Sequence, residues 1–463
     1  MSRDALGIDI GGTHIRSARV QAGVIVERRR VPCPREAEAV TRLCIELVAA
    51  MRGAGTESVG IGVPGQVDFA AKRVLSGGYV DLSSLPFAQR IAEATGLPVT
   101  IDNDATMALI GEAALGAARG LDNVVMLTIG TGIGGAILDH GTVLRGSRSA
   151  GQLGHLSVVP DGRLCVCGRK GCVETESSGT AFGVHLAEAG LPAGTTAEAL
   201  LRRIGDPVAD QVIMRWASPL RAAIDTLIAT LAPDAVVIGG GAGAAAVAAL
   251  GRVPARKSWF DAPVLVATLG DDAGVIGAAL ASRPKGRRVI MVNGVPASGK
   301  SAVAQAIAAR SGWPVLALDT VKHPFLLELG PVDRLMNRRL GQAALQAIFA
   351  LVAQTVPGST LIVDAWFGLQ PLDLLADLLA EAGIDHGVEI WCHAPPAEIG
   401  ARYAARAENR PPGNPGLDYV PELVALAARA KPVGTFPVLA VDTTRAVDSD
   451  RLTAEIKNVL ASV

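Results

Sequence analysis

Two glycine loops of unrelated design, about 280 residues apart, constrain this chain more than any other feature: Asp9-Ile-Gly-Gly-Thr13 and Gly294-Val-Pro-Ala-Ser-Gly-Lys-Ser301. In the first, a carboxylate (Asp9) precedes a turn whose glycines, Gly11 and Gly12, let backbone N–H groups approach a phosphate while Thr13 offers a hydroxyl. The alternative reading is a glycine hairpin with a solvated Asp. The second satisfies the P-loop pattern, in which the amides of Gly294, Ala297, Ser298 and Gly299 wrap phosphates, Lys300 reaches their outer oxygens and Ser301 holds Mg²⁺. Each loop follows a short apolar strand, Leu6-Gly-Ile-Asp-Ile10 and Val289-Ile-Met-Val292. Two nucleotide sites therefore fit a chain of 463 residues, long enough for two to four domains.

Apolar strands alternate with Ala-rich helical stretches from end to end, a βαβ rhythm, and an aromatic content of only 3% suits close α/β packing. Val59-Gly-Ile-Gly-Val63 ends at Pro64-Gly65, and Val99-Thr-Ile-Asp102 runs into Asn103-Asp104 and a helix expected over 105–116. Asn123 to Ile129 leads into Gly130-Thr131-Gly132, and Ala235-Val-Val-Ile238 into Gly239-Gly240-Gly241. The repeated strand-then-glycine junction predicts two similar lobes facing one cleft, 1–105 and 106–283. A short basic stretch broken by Pro and Gly, 284–288, is expected to link them to a further domain at 289–463.

A net charge of −1 gives no pull toward nucleic acid or an anionic membrane. The N-terminal residues lack the apolar core of about 7 to 15 residues that a secretion signal needs. The expectation is a soluble cytoplasmic protein with small-molecule partners. Of the six cysteines, Cys165, Cys167 and Cys172 crowd together downstream of His155. A Cys₃His set suits tetrahedral zinc, and four protein ligands make it structural.

Three carboxylates invite catalytic or metal-binding roles. Asp104 is either a helix N-cap or a general base for a hydroxyl attacking a γ-phosphate. Beyond the P-loop, Val315-Leu-Ala-Leu-Asp319 reads as a strand ending in a carboxylate, and Thr360-Leu-Ile-Val-Asp364 as another, with Asp364 serving Mg²⁺. Arg402, Arg406 and Arg410 recur every four residues, either as a solvated helix face or as an arginine lid over the transferring phosphoryl group.

These motifs together resemble the ROK family of the actin/hexokinase superfold, a two-lobed ATPase of ribonuclease H-like architecture, over residues 5 to about 282. The resemblance rests on Gly7-Ile-Asp-Ile-Gly-Gly-Thr13, Gly62-Val-Pro-Gly65, Asn103-Asp-Ala105, Gly130-Thr-Gly-Ile-Gly-Gly135, Gly154-His155, Cys165-Val-Cys-Gly-Arg-Lys-Gly-Cys172-Val-Glu174 and Asp272-Ala-Gly-Val-Ile-Gly-Ala278. It implies ATP-dependent phosphorylation of a hexose or N-acetylhexosamine, usually at the 6-hydroxyl, in a homo-oligomer, commonly a dimer. Asp104 would be the base; Gly65, Asn103, Gln152, His155 and Glu174 would bind sugar; Asp9 would serve Mg²⁺. ATP would lie on Asp9, Gly11, Gly12, Thr13, Gly130, Thr131, Gly132 and Gly239 to Gly241. Family kinases usually carry Glu where this chain has Gln152, and an Asn-bearing turn where it has Ser76-Gly-Gly-Tyr-Val80, so the substrate differs in its hydroxyls or substituents. Repressor members carry a helix-turn-helix ahead of this domain, for which a first strand at about residue 5 leaves no room.

The second half resembles P-loop kinases of the chloramphenicol phosphotransferase, zeta-toxin and gluconate-kinase type. That resemblance implies a P-loop fold with a parallel sheet, Asp319 as base, and Lys300 and the arginines on ATP. A bifunctional kinase is expected, with ATP, Mg²⁺ and a structural Zn²⁺. The alternatives are a sugar kinase with a nucleotide-dependent regulatory module, or a sugar sensor in the first half.

Overall fold

The computed structural model describes residues 4–78, 80–254, 258–283, 286–369, 371–406 and 414–461. The chain divides into two compact units, Met1–Arg283 and Pro284–Val463.

The first unit holds two five-stranded sheets of the same design. One runs Val24–Pro32, His14–Gln21, Asp4–Ile10, Thr56–Val63, Val99–Asn103 in spatial order; the other runs Thr142–Val143, Ile133–Asp139, Val124–Ile129, Ala235–Gly239, Val264–Val266. In both, three antiparallel strands are followed by two parallel ones. Each first strand of the parallel set delivers its chain to a glycine turn at the same end of the sheet. Helix Ala37–Met51 lays Val40, Cys44, Leu47 and Val48 over Ile61 and Ile101 in the first lobe. Helix Pro207–Leu231 lays Trp216, Leu220, Ile224 and Ile228 over Val236 and Ile238 in the second. Each such side chain removed from water contributes about 1.5–3 kcal/mol.

The first lobe is not confined to residues 1–105. Helix Ala273–Ser282 returns to its sheet, where a side chain on Gly7 or Gly60 would strike the carbonyls of Val275 and Ala278. Only glycine permits that approach, and the Ser58 and Ser282 hydroxyls bond 2.9 Å apart across it. The chain crosses between lobes twice, through Asp104–Leu115 and Ala273–Ser282, and these two helices pack on one another.

The second unit carries one parallel sheet in the order Val315–Ala317, Thr360–Asp364, Arg287–Asn293, Ile384–His393, Val438–Asp442. Its first strand begins at Arg287, so Arg287 and Arg288 belong to the sheet and not to a linker. The reason is a set of carbonyl partners. The Arg287 guanidinium donates to the carbonyls of Ala353, Thr355 and Ala382, which lie at the C-terminal ends of helices Arg334–Ala353 and Leu372–Glu381.

Two expected elements are shorter than the sequence implies. The strand at Val315 ends at Ala317, and Asp319 lies in the first turn of helix Leu318–Leu329. Helix Pro396–Ala404 ends before Arg406, so Arg402 and Arg406 do not share a helix face. Arg410 lies outside the described residues.

Candidate active sites

In the first unit, the antiparallel pairing of Asp4–Ile10 with His14–Gln21 sets Asp9 opposite Arg16, whose Nη1 lies 3.4 Å from Asp9 Oδ2. Burial pushes the Asp9 carboxyl up to about 6, against the pull of the Arg16 guanidinium. Asp104 opens helix Asp104–Leu115 but does not cap it. Asn103 does: its Oδ1 accepts from the N–H groups of Ala105 at 3.0 Å and Thr106 at 3.3 Å. Its Nδ2 donates to the Gly65 carbonyl at 2.9 Å, so Asn103 also ties the two strand ends together. Burial first, and the Asp9 charge second, push Asp104 up to about 7. A carboxyl poised near neutrality is matched to proton transfer at ordinary pH.

The other glycine turns converge on the second sheet. The Gly130 carbonyl accepts from Gly179 N–H at 2.8 Å, and the Thr131 carbonyl accepts from the Thr180 hydroxyl at 2.8 Å. Glu174 Oε2 accepts from Ile133 N–H at 2.8 Å, which seats that carboxylate over Gly132. Gly240 sits at φ 82° with its backbone against Ile129, a place no side chain fits. Beside Gly241 is a cavity of about 200 Å³ lined by Gly179, Phe182, Thr196, Trp216 and Ala242. Phe182 and Trp216 meet edge to face at 5.1 Å. Sequence reasoning missed both aromatics, because on helices they read as ordinary core residues.

It also missed Arg16 and Arg145. Arg145 donates to the buried Asp102 carboxylate at 2.9 Å and lies 3.8 Å over the Phe69 ring. Lone arginines carry no motif, and only strand register or a loop return gives them partners. Gln152 directly precedes the short turn Leu153–His155 without capping it through its side chain, and donates weakly to the Ser149 hydroxyl at 3.4 Å.

One ring nitrogen of His155 and the sulfurs of Cys165, Cys167 and Cys172 all lie within 4.8 Å of one another. Cys167 and Cys172 sulfurs are 3.6 Å apart and Cys165 Sγ is 3.4 Å from His155 Nδ1. A tetrahedral zinc with bonds of about 2.3 Å to sulfur spaces its sulfurs about 3.8 Å apart. The residues therefore fit that ion in both donor chemistry and spacing. The hydrogen bond from the Arg169 backbone pulls the Cys167 thiol down to about 7, while burial pushes the Cys165 and Cys172 thiols up.

The second unit builds its site around one loop. Asn293 is fully buried: its Oδ1 accepts from Gly294 and Phe367 N–H groups, and its Nδ2 donates to Glu389 at 2.6 Å. That fixes the start of the loop. Ala297, at φ 64°, and Gly299, at φ 88°, curl the loop's N–H groups inward. The Ser301 hydroxyl donates to Asp364 Oδ2 at 2.6 Å, the pairing expected around one Mg²⁺. Burial raises the Asp364 carboxyl, Lys300 opposes that, and the charge of nearby Asp319 adds to it. Asp319 itself is exposed, 3.7 Å from His323 Nε2. Lys300 Nζ donates to the Val295 carbonyl at 3.1 Å. Arg402 donates to the Thr443 carbonyl and hydroxyl, and the Thr443 hydroxyl donates to the Ser298 carbonyl, so Arg402 braces the loop from the side. Arg406 is exposed beyond the end of helix Pro396–Ala404.

Comparison with known proteins decides the family. Residues 5–283 match the ROK family and residues 289–424 match a family described as AAA domain. The chain belongs to the ROK family. A glucokinase of Halalkalibacterium halodurans is 31% identical over 309 residues, covering 59% of this chain and 92% of that protein. An N-acetylmannosamine kinase of Escherichia fergusonii is 34% identical over 291 residues, covering 59% of this chain and 97% of the relative. The crystal structure of a ROK glucokinase from Streptomyces griseus with glucose and AMPPNP is similar at a TM-score of 0.54 and 33% identity, over 60% of this chain and 99% of that one. This ROK member is thus an ATP-dependent carbohydrate kinase fused to a P-loop, kinase-like domain. Among the described residues, no helix is long and apolar enough to cross a membrane.

Proposed function

We propose that the first unit transfers the γ-phosphoryl group of MgATP to the 6-hydroxyl of a hexose or N-acetylhexosamine, and that the second phosphorylates a different small metabolite. The carboxyl pair carries this reading: Asp104 is held up to about 7 next to Asp9, with the glycine turn of Gly11 beside them. Asp104 takes the proton of the sugar hydroxyl as its oxygen attacks phosphorus in line, and Asp9 holds Mg²⁺ through water. The turns at Gly130–Gly132 and Gly239–Gly241 receive the rest of the nucleotide, whose base fits the Phe182 and Trp216 cavity. The relatives named glucokinase and N-acetylmannosamine kinase support the acceptor class.

His155 Nδ1 faces the cysteine sulfurs, which leaves Nε2 for a sugar hydroxyl. His155, Cys165, Cys167 and Cys172 would hold zinc with no open coordination position, and so would pin the loop that presents Gln152, His155 and Glu174. Gln152 both donates and accepts, where a carboxylate only accepts, so it suits an acceptor with a carbonyl or a rearranged hydroxyl.

In the second unit, Lys300 and Ser301 hold ATP and Mg²⁺ with Asp364, and Asp319 is the base for the unidentified acceptor. The carboxylate of Asp319, in the first turn of the helix that follows strand Val315–Ala317, favours a kinase over a regulatory module. The test uses the full chain with Asp104→Asn and Lys300→Ala variants, assayed for ATP consumption with hexoses, N-acetylhexosamines, aldonates and sugar phosphates. Separate losses are expected, sugar turnover with the first variant and a second substrate's with the other. If Lys300→Ala leaves every substrate-dependent activity intact, the second kinase is refuted.

A further inference from the structure

Arg145 reaches from the second lobe to the first, and the reaction as written above gives it no role. It lies just past strand Thr142–Val143, whose pairing with Ile133–Asp139 is continued by the Leu144 N–H donating to the Ile137 carbonyl at 2.9 Å. The Arg145 carbonyl accepts from Ala150 N–H at 2.9 Å, closing a loop that returns through Gly151 to Gln152 and His155. Gly151 sits at φ 91°, where a side chain would press on the Gly135 carbonyl, so the loop is seated close against its own sheet.

From that loop the guanidinium crosses to strand Val99–Asn103 of the first lobe. Its Nε and Nη2 both donate to Asp102 Oδ2 at 2.9 Å, the usual length of a charge-assisted bond. The other oxygen, Oδ1, accepts from Asn103 N–H at 2.8 Å. The Asp102 side chain is only 6% exposed, so its charge depends on these partners. The guanidinium also lies 3.8 Å over Phe69, between strands Gln66–Asp68 and Arg73–Ser76. That hairpin backs Gly65, since a side chain there would strike the Ser76 carbonyl, and Asn103 Nδ2 holds the Gly65 carbonyl in turn. One arginine of the second lobe thus grips, through Asp102 and Phe69, both segments that meet at Asn103.

We propose that Arg145 is a positioning residue for phosphoryl transfer to sugar: it clamps the loop bearing Gln152 and His155 to the strand end bearing Asn103 and Asp104, so that acceptor hydroxyl and base meet in one register. The proposal rests on the kinase reading above. Arg145 acts through Asp102, whose Oδ1 fixes the Asn103 N–H and with it the turn into Asp104. Misplacing a reacting group by about 1 Å costs about 100-fold in rate, so a slack clamp shows in turnover even where the fold survives.

The experiment compares full-chain wild type, Arg145→Met, Arg145→Lys and the double variant Arg145→Met/Asp102→Asn, with glucose and N-acetylmannosamine as acceptors and Tm followed in parallel. Arg145→Met leaves Asp102 buried without its counter-charge, so Tm falls, and sugar kcat/KM falls about 100-fold while KM for ATP stays within about 3-fold. The double variant removes the orphaned charge as well: Tm recovers, but the lobes stay unclamped and sugar kcat/KM stays about 100-fold down. Arg145→Lys keeps the charge without the fork and loses about 10-fold in sugar kcat/KM; it decides the matter if the methionine variants do not fold. A double variant that regains both Tm and sugar kcat/KM to within about 3-fold of wild type would mean that Arg145 merely neutralises a buried carboxylate, and the proposal falls. It falls equally if the single variants alter Tm alone. Wild-type chain inactive on both sugars overturns the kinase reading and this proposal together; normal turnover in the Arg145 variants beside a dead Asp104→Asn overturns the proposal alone.

Discussion

The two phosphate-binding loops of this chain solve one problem in opposite ways. In the reading proposed here the first unit distributes its site over three strand ends, at Asp9–Thr13, Gly130–Gly132 and Gly239–Gly241, on two sheets that the chain builds one after the other. The second concentrates its site in eight consecutive residues, Gly294–Ser301, braced by Asn293, Thr443 and Asp364. A dispersed site depends on how the lobes pack; a local one depends on backbone conformation at a few positions. The two carboxyls of the dispersed site, Asp9 and Asp104, are buried enough to be raised to about 6 and about 7.

The contrast can be broken most decisively at the base. Asp104→Asn should lower sugar-dependent kcat by about 10²- to 10⁴-fold, the usual worth of a general base, while leaving the second unit's ATP chemistry untouched. Steady-state assays with each substrate class check this. Near-normal sugar turnover would rule out Asp104 as base.

Lys300→Ala should do the reverse, removing about 100-fold or more of the second unit's turnover and leaving sugar phosphorylation within about 2-fold. Isothermal titration with an ATP analogue on the two single variants would show whether each retains one of two sites.

A third test exploits the raised carboxyls. Asp104 acts as base only when ionised, so sugar kcat/KM should climb as pH rises through about 7 and level off above it. Folding responds with the opposite sign. Asp9 and Asp104 hold their protons more tightly in the folded chain, so the stability they contribute is full below the ordinary carboxylate pKa and is lost as pH rises through about 6 to 7. Asp104→Asn should flatten that part of a Tm-against-pH curve; an unchanged slope would mean that its carboxyl titrates normally.

Smaller effects belong to the supports. Removing metal with a chelator, or Cys167→Ala, should release one zinc per chain by elemental analysis and lower sugar affinity about 10- to 100-fold without altering Lys300-dependent chemistry. Phe182→Ala should raise KM for ATP in sugar phosphorylation by about 10-fold, the worth of one aromatic contact on the nucleotide base. If KM stays constant, the cavity beside Gly241 does not hold the base.

Much of this was legible in the residues. The strands ending at Ile10, Ile129 and Gly239, the P-loop and the Cys₃His cluster are local patterns, because a turn, an amide cradle or a metal knot draws its parts from neighbouring positions. The duplicated lobe design was likewise visible as a repeated strand-then-glycine junction. Arg287 was read as linker because a basic Pro/Gly stretch surrounds it, yet three helix-end carbonyls draw it into the sheet. Arg402 and Arg406 looked like one helix face because spacing alone cannot see a helix end at Ala404.

Sequence by itself determined the family of the first half and the P-loop of the second, since the glycine turns beside Asp9 and Lys300 are each written in a few consecutive positions. Only the tertiary structure decided which distant groups complete them: the return of helix Ala273–Ser282 to the first sheet, the Asn103 cap that leaves Asp104 to its chemistry, and the strand register that presses Arg16 on Asp9. The physical reason is that burial and charge act through space. A carboxyl's pKa or an arginine's partner depends on what lies within a few ångströms, and in a two-lobed fold those neighbours come from strands and helices hundreds of residues apart.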